Sequence, residues 1–121
     1  MSQVGAHPYA KGANFERHVS AYLTENGWWA HRVAGSHGYA DVIAVRDGIT
    51  LAIQCKSRTG SVQKDSWNGL YLHSVENRWL PLIARPGPPG EPPTFWLIPR
   101  LIGPRRKRPA CSKYFASETQ Q

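Results

Sequence analysis

Residues 40–57 read A-D-V-I-A-V-R-D-G-I-T-L-A-I-Q-C-K-S, and the fold hangs on this stretch. Two apolar runs rich in β-branched residues flank Asp47-Gly48. Asp-Gly is a strong two-residue hairpin signal, because both central positions of the favoured turn need positive φ. If the loop is only these two residues, Arg46 pairs with Ile49, and counting outward sets Asp41 opposite Gln54. Side chains alternate along a strand, so Gln54 and Lys56 share a face. Asp41 joins them across the ladder, while Leu51, Ile53 and Cys55 turn the other way, into an apolar layer. A carboxylate, an amide and an amine thus converge at one sheet end.

Burying Asp and Lys without purpose is costly. The hairpin alone leaves two readings open, an ordinary polar face or a site at the rim of a cleft. In the second, Asp41 offers Mg²⁺ a charged hard oxygen and Gln54 a neutral one. Lys56 would orient or help deprotonate an attacking water, or stabilise charge on a phosphate. The metal would lower the water's pKa and polarise a phosphodiester. The spacing D-x12-Q-x-K is weak by itself.

Working outward, Gly12 to Asn26 reads as an amphipathic helix, with Phe15, Val19, Tyr22 and Leu23 on one face and Gly27 as its stop. Residues 1–11 read as a loose arm. Strands are expected at Trp28–Val33, Ala40–Arg46 and Ile49–Ser57, with a loop over Ala34–Tyr39. A helix over Val62–Asn77, a strand over Trp79–Arg85, a Pro/Gly loop over Pro86–Pro93 and a strand over Thr94–Pro99 follow. This order predicts a single α/β domain, a mixed central β-sheet flanked by helices.

The 121-residue length suits one core, and the formal charge is +7. The basicity is uneven. Residues 1–99 carry nine Lys or Arg against seven Asp or Glu, while residues 100–121 carry six against one. The tail over residues 101–121, with Arg105, Arg106, Lys107 and Arg108, reads as basic and poorly ordered. A basic balance suggests a polyanion such as nucleic acid, although a charge run is usually just solvated. Two cysteines, Cys55 and Cys111, are too few for a disulfide framework or a zinc site. Without an apolar leader or a membrane-length segment, a soluble cytoplasmic protein is the expectation.

Four stretches carry a resemblance: G-A-N-F-E-R (12–17), H-R-V-A-G-S (31–36), A-D-V-I-A-V (40–45) and I-Q-C-K-S (53–57). In this order they resemble the archaeal-type Holliday junction resolvases of the PD-(D/E)xK nuclease superfamily, from about residue 12 to residue 100. The resemblance implies a restriction-endonuclease-like nuclease domain over 12–100 that cuts four-way DNA junctions on two strands with Mg²⁺, for which Mn²⁺ can substitute. It also implies a homodimer with one site per subunit. Glu16 resembles the helix-borne acid that completes the metal site, and Asp41 and Lys56 resemble the metal ligand and the motif lysine. Ser36 resembles a serine in a loop near the scissile bond, and Arg17 and Arg32 resemble phosphate-contacting arginines. Arg58, Lys64 and the cluster Arg105, Arg106, Lys107 and Arg108 are candidate DNA-backbone contacts, sequence-independent and salt-dependent.

The pattern departs from the family at two positions. Ala40 stands where a proline is usual, and Gln54 where Glu is usual. The second change removes a negative charge from the metal shell, so metal affinity should fall unless Glu16 or a substrate phosphate compensates. Three functions follow: a junction resolvase, another repair or restriction-type endonuclease, or a junction-binding protein disabled by Gln54. Trp28 and Trp29 read as one core and one surface residue, or as base-stacking or dimer contacts. Trp67 and Tyr71 read as a dimer face or as packing on the sheet. His31 and His37 read as solvated loop histidines, or as phosphate or water contacts.

Overall fold

The computed structural model describes residues 8–33, 39–105 and 107–118. In chain order the elements are α1 (Pro8–Glu25), β1 (Trp29–Arg32), β2 (Val42–Arg46), β3 (Ile49–Cys55), α2 (Lys64–Asn77), β4 (Leu80–Arg85), β5 (Thr94–Leu97) and β6 (Ser112–Tyr114). Helix α1 starts at Pro8, so the expected loose arm ends earlier than read; residues 1–7 lie outside the described residues. Proline suits a first helical turn, where its missing N–H costs nothing. The helix stops as expected at Gly27, whose φ is +88°. There the Trp28 N–H returns to the Leu23 carbonyl at 3.0 Å, the closing bond of a glycine-terminated helix.

The Asp47-Gly48 turn has φ of 51° and 80°, the paired positive values of a tight hairpin. It sets Arg46 opposite Ile49, and the ladder runs to Val42 opposite Ile53. The six strands lie in sequence order, β1-β2-β3-β4-β5-β6. Every neighbouring pair is antiparallel except β3 and β4, which are parallel. A parallel pair needs a crossover, and α2 provides it.

Alternation sorts the strands onto two apolar layers. Val42, Ala44, Leu51, Ile53, Leu82, Ala84 and Phe95 pack with Val19 and Leu23 of α1. Ala52, Ile83 and Trp96 pack on the other side with Trp67 and Leu70 of α2. The result is a mixed sheet with one helix on each face. Mid-helix Gly69 leaves room for the Tyr39 ring, which would collide with any Cβ there.

The C-terminal segment differs from the reading as a poorly ordered tail. Strand β6 pairs with β5, matching Trp96 with Lys113, and Ile102 and Ala116 are buried. Buried Trp28 donates its indole N–H to the Ala116 carbonyl at 2.8 Å. Arg46 lies 4.3 Å over the Trp28 ring and donates to the carbonyls of Asn26 and Glu118. Trp67 and Asn68 of α2 hold the backbone at Arg100 and Ile102. The basic, Pro-rich composition hid a three-residue strand whose partners are far away in sequence. None of the helices among the described residues is long and apolar enough to cross a membrane.

Candidate active site

The site lies where β2 and β3 part. Their ladder ends at Val42–Ile53, and the Asp41 N–H bonds to the Ile53 carbonyl at 2.7 Å. The Asp41 side chain turns toward β3. Its Oδ2 accepts the Gln54 amide Nε2–H at 3.2 Å and the Cys55 backbone N–H at 2.8 Å. Asp41 and Gln54 therefore meet as the hairpin register implied. Cys55 plays a part that the sequence reading missed, because its backbone, rather than its thiol, holds Asp41. Backbone donors of this kind carry no residue-type signal.

Helix α1 supplies the second carboxylate. Glu16 Oε1 accepts Nε and Nη2 of Arg32 from β1, at 3.3 and 3.2 Å. Burial pushes the Asp41 carboxyl above its usual range; the Cys55 N–H works against this, Glu16 adds to it, and Lys56 and Arg32 oppose it. Glu16, Arg32, Asp41, Gln54 and Lys56 thus form one electrostatic cluster. The Cys55 thiol is likewise pushed far up by burial, then by Asp41 and Glu16, which leaves it a protonated, unreactive filler.

A groove of about 530 Å³ opens beside this cluster, lined by Gly12, Phe15, Glu16, Cys55, Lys56, Ser57, Gly60 and Pro86. It lies against α1, so Lys56 and Cys55 reach one groove although simple alternation put them on opposite faces. Strand β3 ends at Cys55, which frees Lys56 from that alternation. Arg85 anchors the groove's rim by donating to the Ser57 and Gly60 carbonyls at 2.7 and 2.6 Å. Its position at the end of β4, one residue past the Cys55–Ala84 pair, is readable only once the parallel register is known.

The other sequence candidates scatter. Arg17 is exposed and donates to Asn14 on its own helix. Arg58 donates to the Gly87 carbonyl at 2.6 Å, beside the groove. Lys64 opens α2. Arg105 and Lys107 are exposed, while Arg108 is tied to the Val62 carbonyl at 2.8 Å. Ser36, His37 and Arg106 lie outside the described residues. Trp28 is core and Trp29 surface. Trp67 is buried and Tyr71 packs beside it, so both serve the sheet's α2 side. His31 is exposed and packs against Trp29 at 4.3 Å between ring centroids.

The donor set suits a hard divalent cation. Two carboxylates, Asp41 and Glu16, act on each other here, the Cys55 thiol stays protonated, and Mg²⁺-type ions commonly bind through one or two carboxylates plus waters and substrate phosphates. Asp41 Oδ2 and Glu16 Oε1 are taken by internal donors, which leaves Oδ1 and Oε2 as the oxygens available to such an ion.

Comparison with known proteins points to one family. A segment of 51 residues is 43% identical to the crossover junction endodeoxyribonuclease Hjc of Methanocaldococcus jannaschii, covering 42% of this chain and 38% of that protein. The matched segment thus spans well under half of that relative. The structure is similar to that of Hjc from Archaeoglobus fulgidus, a Holliday junction resolvase from an archaeal hyperthermophile. The TM-score is 0.61 and the identity 27%, over 70% of each chain. Residues 7–84 match the family model described as archaeal Holliday junction resolvase (hjc), and the chain belongs to that family.

Proposed function

We propose that the chain is a structure-selective endonuclease that resolves four-way DNA junctions by Mg²⁺-dependent hydrolysis of phosphodiesters on two strands. The observation that carries this reading is the convergence of Asp41, Glu16 and Lys56 beside one groove. Asp41, held by the Cys55 N–H, and Glu16, held by Arg32, present their free oxygens to a cation. Bound there, a divalent metal supplies a water of lowered pKa and polarises the scissile phosphate. Lys56, at the groove wall, orients the attacking water or neutralises the charge that develops on the phosphorane. In this reading Arg32 and Arg58 hold flanking phosphates, which positions the duplex without reading its sequence.

A junction has two strands to cut and each chain has one such site, so the working unit in this reading is a homodimer. Family membership supports the junction as substrate.

One observation favours a second reading. The Gln54 amide donates to Asp41, an arrangement that is complete without any metal, as a non-catalytic junction binder would have it. The test is cleavage of an end-labelled four-way junction beside linear duplex, with the natural chain, Gln54→Glu and Asp41→Asn. The proposal expects paired nicks in the junction and at least about 100-fold less from Asp41→Asn. Junction binding with no product at any Mg²⁺ or Mn²⁺ concentration, and product restored by Gln54→Glu, would establish the binder instead.

A further inference from the structure

We propose that a second groove, continuous with the one beside Glu16 and Lys56, takes up one unpaired nucleobase of the DNA strand held there, and that this capture tells a branched substrate from a plain duplex. The proposal rests on the nuclease reading above and deepens it by naming a recognition site.

This groove measures about 470 Å³ and lies between α1 and the Pro/Gly loop that follows β4. Phe15, His18 and Tyr22 form one wall. They stand three and four residues apart on α1, so they share a face of the helix. The loop over residues 86–92 forms the other wall. Phe15 and Pro86 also line the groove beside Glu16 and Lys56. The two grooves therefore meet, and a strand lying at Glu16 and Lys56 passes the mouth of the second. That continuity makes the same strand its occupant.

Charge and shape decide which part of the strand enters. Backbone phosphates are gripped chiefly by Arg, Lys and N–H donors. No Lys or Arg lines this groove, and Glu91 places a carboxylate in it, which repels a phosphate. Its rings offer what a base takes, a π face on which to stack. The Phe15 and His18 rings lie 6.5 Å apart between centroids, tilted by 31°. The Tyr22 ring is fixed by stacking on Phe95 at 6.1 Å. The facing wall is stiff. Four of its seven residues are prolines, whose φ is locked. Arg58 holds the Gly87 carbonyl at 2.6 Å, and the Glu91 N–H closes a turn onto the Pro88 carbonyl at 2.9 Å. A cleft already shaped loses little freedom on binding.

The same groove then selects for branching. Taking a base out of a duplex costs unstacking and unpairing, and least where the base is already unpaired. At a branch point the stack is interrupted, so a base there leaves more readily than one inside an uninterrupted helix.

The experiment places 5-iodouracil, which bonds to aromatic side chains on irradiation, at single positions on either side of the branch point of a four-way junction. A linear duplex carries the same labels, and Ca²⁺ replaces Mg²⁺ so that the strands stay intact. With the full chain, one junction position should cross-link to Phe15, His18 or Tyr22, mapped by mass spectrometry, and its duplex counterpart should not. Phe15→Leu and His18→Ala, each checked for folding by circular dichroism, should lower the preference for junction over duplex about tenfold in fluorescence anisotropy. The loss should fall on junction binding more than on duplex binding. Cross-links only to other residues, equal cross-links from the duplex, or a preference unmoved by both variants would overturn the base site even if junctions are cleaved normally. Cross-linking to α1 without cleavage in Mg²⁺ would instead overturn the enzyme and leave the base site standing. Failure to bind junction at all would end both.

Discussion

At the scale of single residues, Asp41 carries a charge that folding disfavours. It is a half-buried carboxylate whose pKa is raised, first by burial. A folded-state pKa above the unfolded value means the protonated form is favoured by folding. That contribution is fully present below the ordinary carboxylate range and is lost as pH rises through the folded pKa. Asp41→Asn keeps an acceptor for the Cys55 N–H and removes the buried charge. It should melt about 2–5 °C above the natural chain at neutral pH, with the gap closing as pH falls below the ordinary carboxylate range. Thermal scans across that range check this, and a gap independent of pH would contradict it. Ser74 offers a simpler case: fully buried in α2, its hydroxyl has no partner among the described residues. Ser74→Ala should raise stability by about 1 kcal/mol in urea unfolding, since an unsatisfied buried hydroxyl is costly.

At the scale of elements, the hairpin decides the site. Gly48 sits at φ +80° with open space around it, so a substitution there strains the backbone without a clash. Gly48→Val should cost about 1–3 kcal/mol. Gly90, in the Pro/Gly loop, has a φ of +83° and the same open space, so Gly90→Val is a matched control. Cleavage should fall further in Gly48→Val than in Gly90→Val, because the hairpin turn sets where Asp41 meets Gln54. Strand β6 makes a similar claim. Removing residues 110–121 strips the indole partner from Trp28 and the pairing from β5, and should lower the melting midpoint by about 10 °C or more. An unchanged midpoint would show that the segment is dispensable. These two elements also mark what the sequence could disclose. Asp-Gly specifies its own turn chemistry, so the register and the Asp41–Gln54 meeting were readable from one short stretch. Strand β6 has no local signature, since its hydrophobic face is a few residues among prolines and arginines. It is held by β5, and the residues after it by Trp28 and Arg46, which lie far away in the chain. The Cys55 N–H and the Arg85 staple were hidden for the same reason, because tertiary register created them.

At the scale of the whole molecule, one chain presents one groove at the site, bounded by α1 and the ends of β3 and β4. Two cuts in one junction, as proposed, would call for two copies. Light scattering should give twice the chain mass at micromolar concentration, and a monomer that still nicks both strands symmetrically would contradict the dimer. Family membership and the sheet with one helix on each face agree on a nuclease scaffold. The central claim is narrower, that Asp41 and its neighbours form the metal-dependent cutting centre. It is tested most directly by the rate of four-way junction cleavage with Mg²⁺, natural chain against Asp41→Asn, at matched junction occupancy. The account expects the natural chain to cut and Asp41→Asn to be at least about 100-fold slower; equal rates would contradict it.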